Sequence, residues 1–160
     1  MTKLQSTDPV VELGRQIAEL EARYEELEDL EHDARNAKDL SAEGYYEAAR
    51  LDVYSRIEAL KGALSCYEAK TLVGAMIQVA QVWNMIDFLL DADEAAERKR
   101  LRQEAERLIV SALRVIEREA GTDFNALGLG AYRNANLDPW TPVEDRLAAI
   151  KALAPEAKAA

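Results

Sequence analysis

The chain has 160 residues, 49% of them hydrophobic and 31% charged, a globular balance with enough apolar material for a buried core. With 30 acidic against 20 basic residues, its net charge of −10 argues against direct binding to the phosphates of DNA or RNA and against docking on anionic membranes. What remains is a protein partner, a basic one on charge grounds, or no partner beyond the chain itself.

The single cysteine, Cys66, allows no internal disulfide, and the first 20 residues show no apolar signal-peptide core. Both features predict a soluble protein of a reducing, cytoplasmic compartment.

In chain order, residues 1–7 read as a disordered tail. Asp8-Pro9 is a helix start: aspartate caps the free N–H groups, and proline fits the first helical position, where its missing N–H has no partner to lose. Val10, Leu13, Ile17, Leu20, Tyr24 and Leu27 then follow a 3-4 spacing, which predicts one long helix to about Lys38 with a narrow, coiled-coil-like seam. Asp39 or Ser41 caps the next helix. Its apolar pattern runs from Tyr46 through Val53, Ile57, Leu60, Leu64, Tyr67 and Leu72 and on through Ala75, Met76, Val79, Val82, Ile86 and Leu90. No proline interrupts it, and residues 62–66 are the weakest point, so residues 41–92 form either one bent helix or two. Gln78, Gln81, Asn84 and Asp87 interrupt the greasiest stretch, which marks a buried core helix rather than a membrane span.

Asp91 and Asp93 read as the next cap, ahead of a helix from Glu94 to Arg118 that carries Leu101, Ala105, Leu108, Ile109, Ala112, Leu113 and Ile116 and ends at Gly121. Residues 121–141 form a glycine- and asparagine-rich loop, long enough to be functional or mobile. Thr141-Pro142-Val143-Glu144 is a capping box opening a last helix with Val143, Leu147, Ile150 and Leu153 on its apolar face, before Pro155 and a disordered tail at 155–160.

No catalytic centre emerges. Asp29-Leu30-Glu31-His32 contains the only histidine, and one histidine with one cysteine cannot furnish an ordinary zinc or di-iron site. Cys66 reads as a buried, inert thiol on the apolar side of its helix. Gly128-Leu129-Gly130 follows no strand and precedes no Lys-Ser/Thr pair, so it does not match a phosphate loop. No metal and no cofactor is expected.

Three features point to recognition instead. Gln78, Gln81 and Asn84 lie on a slowly winding polar stripe, read as fixing register at a helix interface, with solvent exposure or a ligand pocket as alternatives. Gly74 and Ala75 beside them admit a close helix neighbour, and Trp83 and Met85 read as core. Residues 8–47 hold 13 acidic and four basic residues, so nine of the ten net negative charges lie there. Glu21, Glu25, Glu28 and Asp29 are the candidate docking face for a basic partner, whereas the basic run Arg98, Lys99, Arg100 and Arg102 offers an internal counterweight. The loop aromatics Phe124, Tyr132 and Trp140 read as a plug for the end of a bundle. Exposed, Tyr132, Arg133 and Trp140 would form a protein-binding hot spot.

The segment Glu68-Ala69-Lys70-Thr71-Leu72-Val73-Gly74-Ala75-Met76-Ile77-Gln78 resembles small uncharacterised helical proteins of bacterial and prophage genomes, in which a Thr-Leu-x-Gly step opens or continues a long apolar helix. Ala69 and Lys70 depart from the Pro or Thr turn common there. The resemblance implies a bacterial or phage origin and no activity.

The sequence therefore predicts an all-α bundle of about four helices in a single domain spanning residues 8–154. Its expected role is that of a non-enzymatic protein–protein interaction or scaffold protein, a homo-oligomer associating through the seam of the long first helix. An acidic inhibitor of a basic nucleic-acid-handling protein and a small-ligand-binding bundle are the alternatives.

Overall fold

The computed structural model describes residues 8–123, 126–128, 139, 140 and 145 of the chain, Asp87 by its backbone only. The protein is all-α: helices α1 (Pro9–Ala37), α2 (Leu40–Leu64), α3 (Leu72–Asp91) and α4 (Ala95–Ala120) follow one another, and no strand occurs among the described residues. The chain divides into two compact units, Met1–Tyr67 and Glu68–Ala160. The expected last helix lies outside the described residues except for Asp145, which is helical, and so do both terminal tails.

In the first unit, the Asp8 side chain accepts a hydrogen bond from the Val10 N–H at 3.0 Å, and Pro9 opens α1. Lys38, in the left-handed conformation at φ 58°, closes it, and its N–H donates to the carbonyl of Arg35. Asp39 then caps α2 by accepting from the Ala42 N–H. So short a connection folds α2 back along α1. The cross-helix pairs confirm the antiparallel sense: Arg35 meets Glu43, Glu31 meets Arg50, Tyr24 meets Tyr54 and Glu21 meets Lys61. Val10, Ile17, Leu27 and Ala34 of α1 and Val53, Ile57 and Leu64 of α2 are the buried apolar residues. The narrow seam of α1 is thus filled by its own neighbour in the chain.

Residues 41–92 form two helices, not one. Helix α2 stops at Leu64; the Ser65 hydroxyl donates to the Gly62 carbonyl, and the Cys66 N–H donates to that of Ala63. Cys66 lies beyond the helix end and is exposed, contrary to the buried thiol expected from extrapolating the helical period past Leu64.

In the second unit Thr71 caps α3, its hydroxyl accepting from the Gly74 N–H at 3.1 Å. The expected cap at Asp91 and Asp93 is not used. Asp91 is the last residue of α3, and Glu94 occupies the N-cap of α4 without a side-chain cap bond. Arg98 instead reaches back to the Ala92 and Asp93 carbonyls at 2.6 and 3.2 Å, satisfying acceptors that the end of α3 leaves open. Gly121, at φ 65°, closes α4 in a conformation that side-chain-bearing residues rarely adopt.

Helix α4 is strongly amphipathic and buries Leu101, Ala105, Leu108, Ser111, Ala112 and Val115. The buried Ser111 hydroxyl accepts from the buried Ala69 N–H at 2.7 Å, and Arg118 donates to the Lys70 carbonyl, so the segment before α3 is tied to α4.

Helix α3 packs on α4 with an unexpected side. Its buried positions are Gly74, Ala75, Gln78 and Met85, with Gln81, Val82 and Leu89 half-buried. Of the apolar pattern expected to form the core, Ala75 is buried and Val82 half-buried, whereas Leu72, Met76, Val79, Ile86 and Leu90 are exposed, and Trp83 with them. Small side chains at Gly74 and Ala75 let a neighbour approach closely, so packing selects that ridge over the bulkier one.

Candidate functional site

Two surfaces arise from this arrangement, one in each unit. The first is an open groove between α1 and α2, about 390 Å³, lined by Glu21, Tyr24, Glu25, Glu28, Tyr54, Ile57 and Lys61. Glu21, Glu25 and Glu28 were singled out by charge alone; Asp29 is exposed but is not part of the groove. The Lys61 ammonium lies 3.4 Å from Glu21 and 3.7 Å from Glu58, partly neutralising one end.

Tyr24 and Tyr54, whose rings sit 6.2 Å apart and tilted, form the apolar floor that charge counting missed. The negative charge of Glu58, followed by burial, pushes the Tyr54 phenol up, so it stays protonated at neutral pH.

Behind the groove a charged network holds the two helices in register. The Glu31 carboxylate, almost wholly buried, accepts from Arg50 at 2.7 Å and from Arg35 at 2.6 Å. Arg35 also donates to Glu43, and Arg50 to the Tyr24 hydroxyl, with its guanidinium 5.3 Å from the Tyr24 ring centre. Hydrogen bonding to Arg50 above all, with the charges of Arg50 and Arg35, holds the Glu31 carboxyl below the usual carboxylate range against the opposing effect of burial. Glu31 is therefore a structural ion that orients Tyr24, and no water-activating role follows from it. His32 points to solvent.

The second surface is the outward side of α3. Leu72, Met76, Val79, Trp83, Ile86 and Leu90 are all exposed, Met76 by 71%, Trp83 by 75% and Leu90 by 77%. Steps of four, three, four, three and four residues place them on one stripe of a helix, the spacing of a coiled-coil seam. By length and composition α3 could cross a membrane. Its partner α4 could not: Arg98, Lys99, Arg100, Arg102, Glu104 and Glu106 stand in its first turns, with Arg100 and Arg102 paired to Glu104 and Glu106.

The polar stripe on α3 divides. Gln78 is completely buried, Gln81 half-buried and Asn84 exposed, so the three do not line one cavity. Trp83 and Met85 divide as well: Met85 is core, and Trp83 is surface, overturning its reading as a core residue. Of the loop residues, Trp140 donates its indole N–H to the Arg107 carbonyl at 3.0 Å, midway along α4, and is half-buried. Phe124, Tyr132 and Arg133 lie outside the described residues.

Among the described residues no group of three or more His, Cys, Asp or Glu side chains could hold a metal ion. The surfaces offer docking chemistry: a greasy helix face, and an acidic groove with a tyrosine floor. Comparison with protein-family models, with curated proteins and with solved structures finds no match to this chain.

Proposed function

We propose that the chain is a non-enzymatic helical interaction protein that works by self-association. The supporting observation is the outward stripe of α3, an apolar seam left on the surface of a unit whose own core is built from other residues. Contiguous exposed apolar surface of this kind marks association sites, because its hydration is unfavourable until a partner covers it. Sedimentation velocity of the full chain at tens of micromolar tests the reading. A species heavier than one chain is expected, and a monomer across that range contradicts self-association.

A second reading rests on the other surface. Glu21, Glu25 and Glu28 around the Tyr24–Tyr54 floor suit a lysine or arginine side chain from a basic protein, held by charge and by the aromatic faces. Such a partner would be released by raising salt, since the groove is open to solvent. Capture that survives molar salt would contradict it. A cytoplasmic setting and a bacterial or phage origin belong to the same proposal and rest on the sequence alone.

A further inference from the structure

Resting on the self-association reading, we infer that the α3 stripe pairs with the α3 stripe of a second copy of this chain, antiparallel, about a two-fold axis at the level of Gln81. Three observations favour a second copy in this orientation.

The first is the symmetry of the stripe. Its steps read the same from either end, so reversing one helix against the other sets Leu72 opposite Leu90, Met76 opposite Ile86, and Val79 opposite Trp83. An antiparallel two-fold interface requires such self-complementarity, in which residue i of one copy meets j of the other and j meets i.

The second is size. The antiparallel register sets the largest side chain, Trp83, against the short Val79 on both sides of the axis, an alternation that lets knobs fill holes. A parallel pair would stack Trp83 on Trp83.

The third is charge. Exposed Lys70 precedes the N-terminus of α3, and exposed Asp91 and Asp93 stand at its C-terminal end. At the N-terminus Lys70 has the sign the helix dipole disfavours and α3 has no acid in its first turn, whereas at the C-terminal end Arg98 already donates to the Ala92 and Asp93 carbonyls. An antiparallel second copy brings the partner's Lys70 to Asp91 and Asp93 at both ends, so that opposite charges face each other. A parallel copy sets like charges together at each end.

The test uses the full chain with Cys66→Ser, so that the exposed native thiol does not react. Lys70→Cys and Asp93→Cys chains are made separately and then mixed, with a short bismaleimide as cross-linker. Cross-linked dimer is expected only in the mixture. Cross-linking of either variant alone, with none gained on mixing, overturns the antiparallel register.

In parallel, Trp83→Glu is compared with the wild type by sedimentation equilibrium, with circular dichroism verifying helix content. A rise of roughly 30-fold or more in the dimer dissociation constant is expected, as for a central aromatic anchor. Met76→Glu, on the same stripe, serves if Trp83→Glu does not fold, and the same direction is expected. A wild-type dimer untouched by both substitutions overturns the α3 pairing and leaves self-association standing. A wild-type monomer overturns both. A monomer that binds neutral phosphatidylcholine vesicles, with a blue shift of tryptophan fluorescence lost in Met76→Glu, assigns the stripe to lipid and overturns the second copy.

Discussion

The two helical hairpins treat their outer surfaces in opposite ways. In the α1–α2 hairpin the apolar seams face each other, and the outside is acidic, laced by pairs such as Arg15 with Glu12 and Glu19, and Arg23 with Glu26. In the α3–α4 hairpin α4 keeps most of that division, burying Leu101, Leu108 and Val115 while Ile109 and Ile116 are exposed. Helix α3 turns a ridge of small and polar residues inward and a ridge of large apolar ones outward. The first hairpin exposes Leu40, Tyr45 and Leu51 singly among its charged residues, whereas the second exposes large apolar residues in one continuous stripe along α3. Hydrophobic burial is the main force available to a chain of this size, so an apolar ridge left outside points to association and not to the stability of the single chain.

This contrast can be broken or sharpened by substitution, from the largest effect to the smallest. Leu108→Ala removes a fully buried side chain of α4 and is expected to lower unfolding free energy by about 2–5 kcal/mol in urea titrations. Ser111→Ala removes the acceptor of the buried Ala69 N–H, and about 1–3 kcal/mol should be lost by the same measurement.

In the first hairpin, Arg50→Met leaves the buried Glu31 carboxylate with Arg35 as its remaining partner, and the melting temperature at pH 7 should fall. Because the folded chain holds the Glu31 carboxyl below its ordinary value of 4.5, the contribution of this pairing is fully present above that pH. It is lost as pH falls through the lowered value. The melting difference between wild type and Arg50→Met should therefore be constant from pH 7 to 5 and shrink in stronger acid. A difference that grew on acidification would contradict the assignment. Met76→Gln should change monomer stability by less than about 0.5 kcal/mol, since the side chain has no core to leave. A loss as large as that of Leu108→Ala would show that the α3 stripe is core after all.

Much of the fold was legible in the sequence because helix ends are local chemistry. Asp8-Pro9, Asp39 and Gly121 each act on backbone groups within a few residues, and each stands where it was expected. Cys66 and the Asp91–Asp93 cap were misplaced for the complementary reason. Where the chain leaves a helix, the helical period carries no further information: the N-cap position of α4 falls to Glu94, whose side chain makes no cap bond, and Arg98 donates to the Ala92 and Asp93 carbonyls.

The facing of α3 was illegible for another reason. Periodicity identifies the greasier ridge, whereas packing selects the ridge that fits, and the small Gly74 and Ala75 lie on the buried one. Their small size is legible in the sequence, but the exposure of Met76 and Trp83 depends on which face α4 packs against. Of the acidic groove, the carboxylates were visible as a charge excess. Tyr54 was not, because its place beside Tyr24 depends on the register between α1 and α2, and charge counting contains nothing of that register.

The central claim is that the α3 stripe lies outside the core of its own chain and is covered by association. Oxidative footprinting across a dilution series, with methionine and tryptophan modification read by mass spectrometry, tests it most directly, because Met76 and Met85 lie on the same helix at 71% and 5% exposure. The account predicts fast oxidation of Met76 and Trp83 and slow oxidation of Met85 in dilute solution, with Met76 and Trp83 becoming protected as concentration rises. Equal rates for Met76 and Met85, or a Met76 rate independent of concentration, would contradict it.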